Sequence, residues 1–325
     1  MASSSVPGNI LIVGATGVIG RYITASIISA FPPSSITIFT SPATASAAPD
    51  SPKHALISEW RQKGVQFVTG DVNDPADIRR AFRDQHTVVS ALGRDSLLSQ
   101  IELLRIADEE GSSVQWFFPS EYGTDIEYDS VKSPHEKPHQ NKLKVRAFVK
   151  EQVRRLNVTS VVTGPYLDMF LALSPVQDAQ ANGGYDVKNK RAVVVDDGEG
   201  RVGFTTMPDV GKFVAAALQH PEAAYGKALK VQSFVTTPNA ILQEFERQTS
   251  SKWTVEHTPL DKLRELETQS WEAGKPYAVG FTLRRIWAEG GTLYDKTDND
   301  SLGVKEGDLE SLSTVVGRAV RGDGW

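Results

Sequence analysis

The sequence predicts an α/β fold, a doubly wound and mostly parallel sheet followed by a smaller α+β lobe. Three observations predict it. Short apolar runs alternate with segments of helical spacing through the first half of the chain. A glycine-rich turn joins the first apolar run to the first helical segment. The alternation weakens after about residue 165, where glycine turns and shorter runs take over. Alternating strands and helices imply parallel pairing, because parallel neighbours need crossover connections. Right-handed crossovers then put helices on both faces of the sheet.

Each element follows from its residues. Asn9-Ile-Leu-Ile-Val13 reads as a buried strand. A helix is expected over 17–30, a strand over 35–39, an Ala/Ser/Pro-rich loop over 41–51 and a helix over 53–63. A strand over 65–69 follows. Asp74 and Pro75 mark the next helix start. The aspartate suits the N-cap, and the proline occupies a position whose N–H has no helical partner anyway. Strands are expected over 87–91 and 114–118, with a helix over 96–110 stopped by Gly111. Leu143, Val145, Phe148, Val149, Val153 and Leu156 carry helical spacing over 141–156, and a strand over 158–163 follows. Beyond it, strands over 193–195, 203–205 and 228–232 alternate with helices over 208–219, 238–249 and 260–273. The expected division is a dinucleotide-binding domain over 1–165 and a substrate lobe over 166–325 that shares its core. The cleft between them is the expected ligand site.

Composition narrows the function. The 325 residues suffice for one large domain or two joined ones. Apolar residues make up 40% and charged residues 23%, the balance of a soluble globular enzyme. The net charge is −5 with no dense Lys/Arg block, which speaks against nucleic acid as a partner. The absence of cysteine excludes disulfides, thiolate catalysis and zinc–cysteine sites. His54, His86, His135, His139, His220 and His257 show no metal-ligand spacing, so no metal is expected. The opening MASSSVPG lacks the pattern of a secretory signal, and no apolar run reaches membrane-spanning length. The expectation is a cytoplasmic monomer or homodimer that acts on a small molecule, away from membranes and nucleic acid.

Gly14-Ala15-Thr16-Gly17-Val18-Ile19-Gly20 spells G-x-x-G-x-x-G between an expected strand and an expected helix. Such a turn lets the backbone approach a pyrophosphate, while the helix N-terminus offers free N–H groups to the phosphates. This is the dinucleotide site of a Rossmann-type sheet. An acid at the end of the second strand would hold the ribose of NAD. Thr40 and Ser41 stand there instead, which removes a repulsion against the 2′-phosphate of NADP. Lys53 is available to the 2′-phosphate, although the residues read equally well as a solvated helix start.

Two Lys pairs compete for a catalytic role. Tyr128 and Lys132 spell Y-x-x-x-K, but Pro134 and Pro138 follow and push the stretch towards loop. Tyr128 then reads as a cleft or surface aromatic. Lys142 and Arg146 lie one turn apart on the expected helix, with Lys142 in its first turn. Spacing alone leaves this pair open between a functional role and one solvated basic face with Lys144 and Lys150.

The segments "VGATGVIG", "GVQFVTGDVND", "VVSALG", "WFFPSEYGTD", "NKLKVRAF" and "MPDVGKFV" resemble the isoflavone reductase-like branch of the NmrA-like, atypical short-chain dehydrogenases. The resemblance runs from Ile10 to about Val316. It implies an NADPH-dependent reductase of phenolic or other aromatic small molecules. It also implies that Lys142 is the catalytic lysine, that Arg146 binds cofactor and that Lys53 helps hold the 2′-phosphate. The family's arginine after the second strand falls on Thr40, which removes one phosphate-binding charge without supplying the acid NAD needs. A rival reading is a nucleotide-sensing regulator without turnover, and a third is a non-redox step at the same cofactor site.

On the reductase reading Lys142 acts as general acid/base, or anchors the ribose while polarising the substrate. Ala91, Leu92 and Gly93 at the end of the fourth strand run beside the cofactor. Pro165 and Tyr166 flank the nicotinamide. Glu121, Tyr122, Tyr166 and Phe170 face substrate, with Trp271, Tyr277, Phe281 and Trp287 as further aromatic wall.

Overall fold

The computed structural model describes residues 8–128, 135–173 and 180–323. Its first half is built on six strands, namely β1 (Ile10–Val13), β2 (Ile36–Thr40), β3 (Gln66–Thr69), β4 (Thr87–Ser90), β5 (Trp116–Phe118) and β6 (Asn157–Val158). They form one parallel sheet in the order β3-β2-β1-β4-β5-β6. The order reverses between β1 and β4, and this is where doubly wound sheets open a crevice for ligands. Ile10, Leu11 and Ile12 are fully buried. A central parallel strand is covered on both faces, hence the unbroken apolar run. The helix Pro75–Phe82 starts as expected, with the Asp74 carboxylate accepting from the Ala76 N–H at 2.8 Å.

Two local expectations need correction. The strand expected over 158–163 is divided. β6 ends at Val158, and Ser160–Val162 (β7) leaves the sheet to pair with Ala228–Lys230. Thr159 sits at the break, where its hydroxyl receives the Trp116 indole N–H at 2.8 Å and donates to the Ala224 carbonyl at 2.7 Å. The helix expected from residue 141 begins at Lys137 and runs to Gln152. Pro138 lies in its first turn, where no N–H is needed, and the Glu136 carboxylate caps the His139 N–H at 2.7 Å. Lys142 therefore stands in the second turn, where the helix dipole opposes its charge less than the sequence alone suggests.

The second half contributes β8 (Gly184–Asp186), β9 (Arg191–Val195), β10 (Val202–Phe204), β11 (Ala228–Lys230), β12 (Phe234–Thr236) and β13 (Thr254–Thr258). β13, β9 and β8 form a small mixed sheet, while β10 and β12 form an antiparallel pair. Gly184 opens β8. Phe170, Tyr185, Phe204, Phe245, Trp253 and Trp287 pack together as the core of this lobe. The helix Met207–Gln219 belongs to the first core, since Val210, Phe213 and Val214 pack with Ile10, Ile23 and Ile27. Gly211 makes this possible, because a Cβ there would stand 2.4 Å from the Tyr22 carbonyl oxygen. The strands of the first sheet thus end at Val158, while its core continues past residue 165. Among the described residues, no helix is long and apolar enough to cross a membrane.

Candidate active site

The turn after β1 is shaped for close backbone approach. Gly14 has φ +83°, and a Cβ there would lie 2.6 Å from the Ala91 carbonyl oxygen. A Cβ on Gly20 would lie 2.1 Å from the Gly14 carbonyl oxygen. Side chains at either position would force the turn apart. No side chain caps the helix Gly20–Ala30 and no acid stands in its first turn, so this positive helix end carries no internal anion among the described residues. Val18 is an apolar residue left 49% exposed at the lip. A bare helix terminus, a glycine cradle and an exposed apolar lip fit a dinucleotide.

A cleft of about 770 Å³ runs from this turn into the second lobe. Of the expected site residues, Gly17, Val18, Ile19, Ala91, Leu92, Gly93, Tyr122, Lys142, Pro165, Tyr166 and Phe170 line it. Gly14, Ala15, Thr16 and Gly20 form the turn behind that lining. Thr40 ends β2. Lys53 lies exposed in the first turn of the helix Pro52–Gln62 and makes no ion pair among the described residues.

Lys142 is half-buried in the cleft wall. Its amine donates to the main-chain oxygen of Glu121 at 3.0 Å. Burial lowers its pKa from the ordinary lysine value. The Arg94 and Arg146 charges push the same way, while Glu121 and Glu136 oppose. The Tyr122 ring is 7% exposed and its hydroxyl has no hydrogen-bond partner among the described residues. Burial, with Tyr166 and Glu121 assisting, pushes the Tyr122 pKa far up, so it stays a donor at neutral pH. The Tyr166 hydroxyl donates to the Tyr122 carbonyl, and burial raises its pKa as well.

Arg146 and Glu121 are occupied with each other. The guanidinium Nε and Nη2 fork onto the Glu121 carboxylate at 2.9 and 2.6 Å, and Nη1 reaches Glu127 at 2.8 Å. The Glu121 side chain is 2% exposed. Burial works against the charge on Arg146, yet Glu121 and Glu127 outweigh it and push its pKa up. Neither residue lines the cleft. In this structure the pair braces the loop after β5 against the helix Lys137–Gln152, and the Glu121 main chain, rather than its carboxylate, meets Lys142.

Tyr128 is on the surface, 48% exposed, and donates to the Glu289 carbonyl at 2.8 Å across to the second lobe. Lys132 lies outside the described residues. Tyr277 and Trp287 line the cleft. Trp271 and Phe281 do not; the Trp271 indole donates to the Thr282 hydroxyl at 2.9 Å and Phe281 is 3% exposed.

Sequence reasoning missed several cleft residues. Arg94 pairs with the buried Glu136 carboxylate at 2.6 Å and ties the loop after β4 to the start of the Lys142 helix. Pro138 two residues after Glu136 was the available signal for that cap. Ser120, Met169 and Arg284 also line the cleft, and no spacing in the sequence marks them.

Similarity to known proteins agrees with this geometry. Residues 7–289 match the model of the NmrA-like family. The chain is 28% identical to an isoflavone reductase of Pisum sativum over 273 residues, 81% of this chain and 82% of the relative. It is 28% identical to phenylcoumaran benzylic ether reductase PT1 of Pinus taeda, over 65% of each chain. A crystal structure of isoflavone reductase superposes with a TM-score of 0.80 at 21% identity, covering 96% of this chain and 99% of that one. The leucoanthocyanidin reductase–NADPH complex from Vitis vinifera gives 0.75 at 19% identity, covering 97% and 100%. The parallel sheet with its glycine cradle and the match across most of the length lead to one conclusion: the chain belongs to the NmrA-like family.

Proposed function

We propose that this protein is an NADPH-dependent reductase of an aromatic small molecule, with Lys142 as its general acid/base. One observation carries the reading. A lysine amine with a lowered pKa lines the same cleft as the glycine turn and a ring of aromatic side chains. Perturbed titratable groups in a cleft mark sites of proton transfer. The names of the relatives support the reaction class, since they are reductases of isoflavone and phenylcoumaran type, and a structural neighbour holds NADPH.

The Gly14–Gly20 turn and the helix end behind it would hold the pyrophosphate, with Lys53 meeting the 2′-phosphate and Thr40 leaving it room. Ala91, Leu92, Gly93, Pro165 and Tyr166 would flank the dinucleotide. The bound cofactor supplies a hydride. The protein's own residues manage the rest. Lys142 gives a proton to the substrate, and the Glu121 carbonyl fixes the direction of the amine. The Tyr122 hydroxyl, buried and unpaired, offers a second donor to a substrate oxygen. Tyr277, with the apolar wall of Met169 and Leu283, excludes water and packs on an aromatic acceptor.

The test is fluorescence titration with NADPH and NADH, followed by cofactor oxidation across a panel of phenylpropanoid, quinone and polyketide acceptors. The reading expects tighter NADPH binding, a gap that narrows in Lys53→Ala, and turnover with members of the panel. NADPH binding without turnover of any acceptor would move the assignment to a nucleotide sensor.

A further inference from the structure

The helix Ala278–Ala288 carries two successive arginines with opposite surroundings. Arg285 is bound by carboxylates, Glu267 at 2.6 Å and Glu289 at 3.1 Å. Arg284 has none. Its guanidinium carbon lies 3.9 Å from the Phe170 ring centre and 3.7 Å from that of Trp287. Its Nε is buried without a hydrogen-bond partner among the described residues, and so is the indole N–H of Trp287. Arg284 lines the main cleft and also a smaller cavity of about 70 Å³ behind it. Asp196 lines the smaller cavity, but no ion pair joins it to Arg284 among the described residues.

This arrangement is costly in isolation. A buried guanidinium needs an anion or a full set of acceptors. Two aromatic faces offset part of the cost through cation–π contact, but they leave the donor edge unsatisfied. Burial lowers the Arg284 pKa to about 9, still cationic at neutral pH. One positive charge without a counter-ion among the described residues, in a wall of the cleft, describes the complement of an anionic oxygen.

We propose that Arg284 is a specificity residue that binds a carboxylate of the substrate. The acceptor is then an aromatic or conjugated carboxylic acid rather than a neutral phenol. This rests on the reading of the cleft as the acceptor site. Phe170 and Trp287 hold the guanidinium plane, so its Nη edge meets the carboxylate while the apolar wall of Met169 and Leu283 takes the ring.

The experiment is calorimetric titration of the full chain with benzoate, 2-naphthoate and 4-hydroxycinnamate, each beside its methyl ester. A charge-assisted hydrogen bond predicts about tenfold or greater preference for the acid in at least one pair. Arg284→Gln should erase that preference, and Arg284→Lys should retain part of it. The acid–ester comparison in the parent protein needs no variant, so a folding defect in Arg284→Gln does not blunt it. Equal affinities within every pair, no binding of any acid, or an undiminished preference in Arg284→Gln would each overturn the proposal. NADPH titration of Arg284→Gln separates the two readings. Unchanged cofactor affinity is expected. A parallel loss would assign Arg284 to the cofactor and overturn the proposal while leaving the reductase intact. Absence of NADPH binding in the parent, with the acid preference present, would remove the reductase reading and leave the anion site standing.

Discussion

The Lys142 amine lies 3.0 Å from the main-chain oxygen of Glu121, a neutral acceptor that orients the amine without neutralising it. A carboxylate partner would have held the lysine protonated at all working pH values. The carbonyl leaves its pKa to be set chiefly by burial, which lowers it. A group that must give up a proton benefits from that. Lys142→Ala should lower kcat by about 10²–10⁴-fold with NADPH affinity within a few-fold of the parent. For reduction, the active form is protonated, so kcat/KM should be level at low pH and fall through an apparent pKa below the ordinary lysine value. Lys142→Ala should lack that limb. Steady-state rates across pH with one acceptor check both, and a variant within a few-fold of the parent would contradict the role.

Arg146 predicts a stability effect rather than a cofactor effect. Its fork onto Glu121 is shielded, with side chains 17% and 2% exposed. Removing the arginine leaves a buried carboxylate without its counter-charge, at a cost of about 3–5 kcal/mol. Urea unfolding of Arg146→Ala should show that loss, and Glu121→Gln in the same background should recover part of it. A stable Arg146→Ala with weakened NADPH binding would return Arg146 to the cofactor.

Asp168 predicts a pH dependence of stability. Burial raises its pKa from 3.8 to about 6, against the pull of the Met207 and Met169 N–H groups and Arg318. A carboxyl group with a raised native pKa is bound more tightly by protons in the folded state. Its contribution to stability is full below pH 3.8 and is lost as pH rises through about 6. Across that window Asp168→Asn should gain on the parent by up to about 3 kcal/mol. Thermal unfolding of both proteins at intervals from pH 4 to pH 7 checks it. A constant difference would show that Asp168 does not titrate in this range.

The first half of the fold was legible because its signals are local. Asp74-Pro75 caps a helix with its own atoms, and the glycine turn at 14–20 carries its geometry in residues without a Cβ. What escaped depends on distant partners. β6 breaks at Thr159 because Trp116 and Ala224 claim its hydroxyl, and neither is near it in sequence. β13 is largely exposed, with little apolar alternation to mark it. In the site, the resemblance singled out Lys142, and the fold places it in the cleft wall. That Glu121 turns its carboxylate to Arg146 and only its carbonyl to Lys142 was not legible, because both atoms belong to one residue. Arg284 and Arg285 are identical neighbours in the sequence, and only the fold gives carboxylates to one and aromatic faces to the other.

The central claim is that a nicotinamide dinucleotide lies with its phosphates over the turn at Gly14–Gly20 and its ring beside Lys142. A crystal structure of the protein grown with NADPH measures this directly. The account predicts the pyrophosphate on the N-terminus of the helix Gly20–Ala30 and the nicotinamide within hydrogen-bonding reach of the Lys142 amine. A dinucleotide bound elsewhere, or a Lys142 amine turned to bulk solvent with the ring distant, would contradict it.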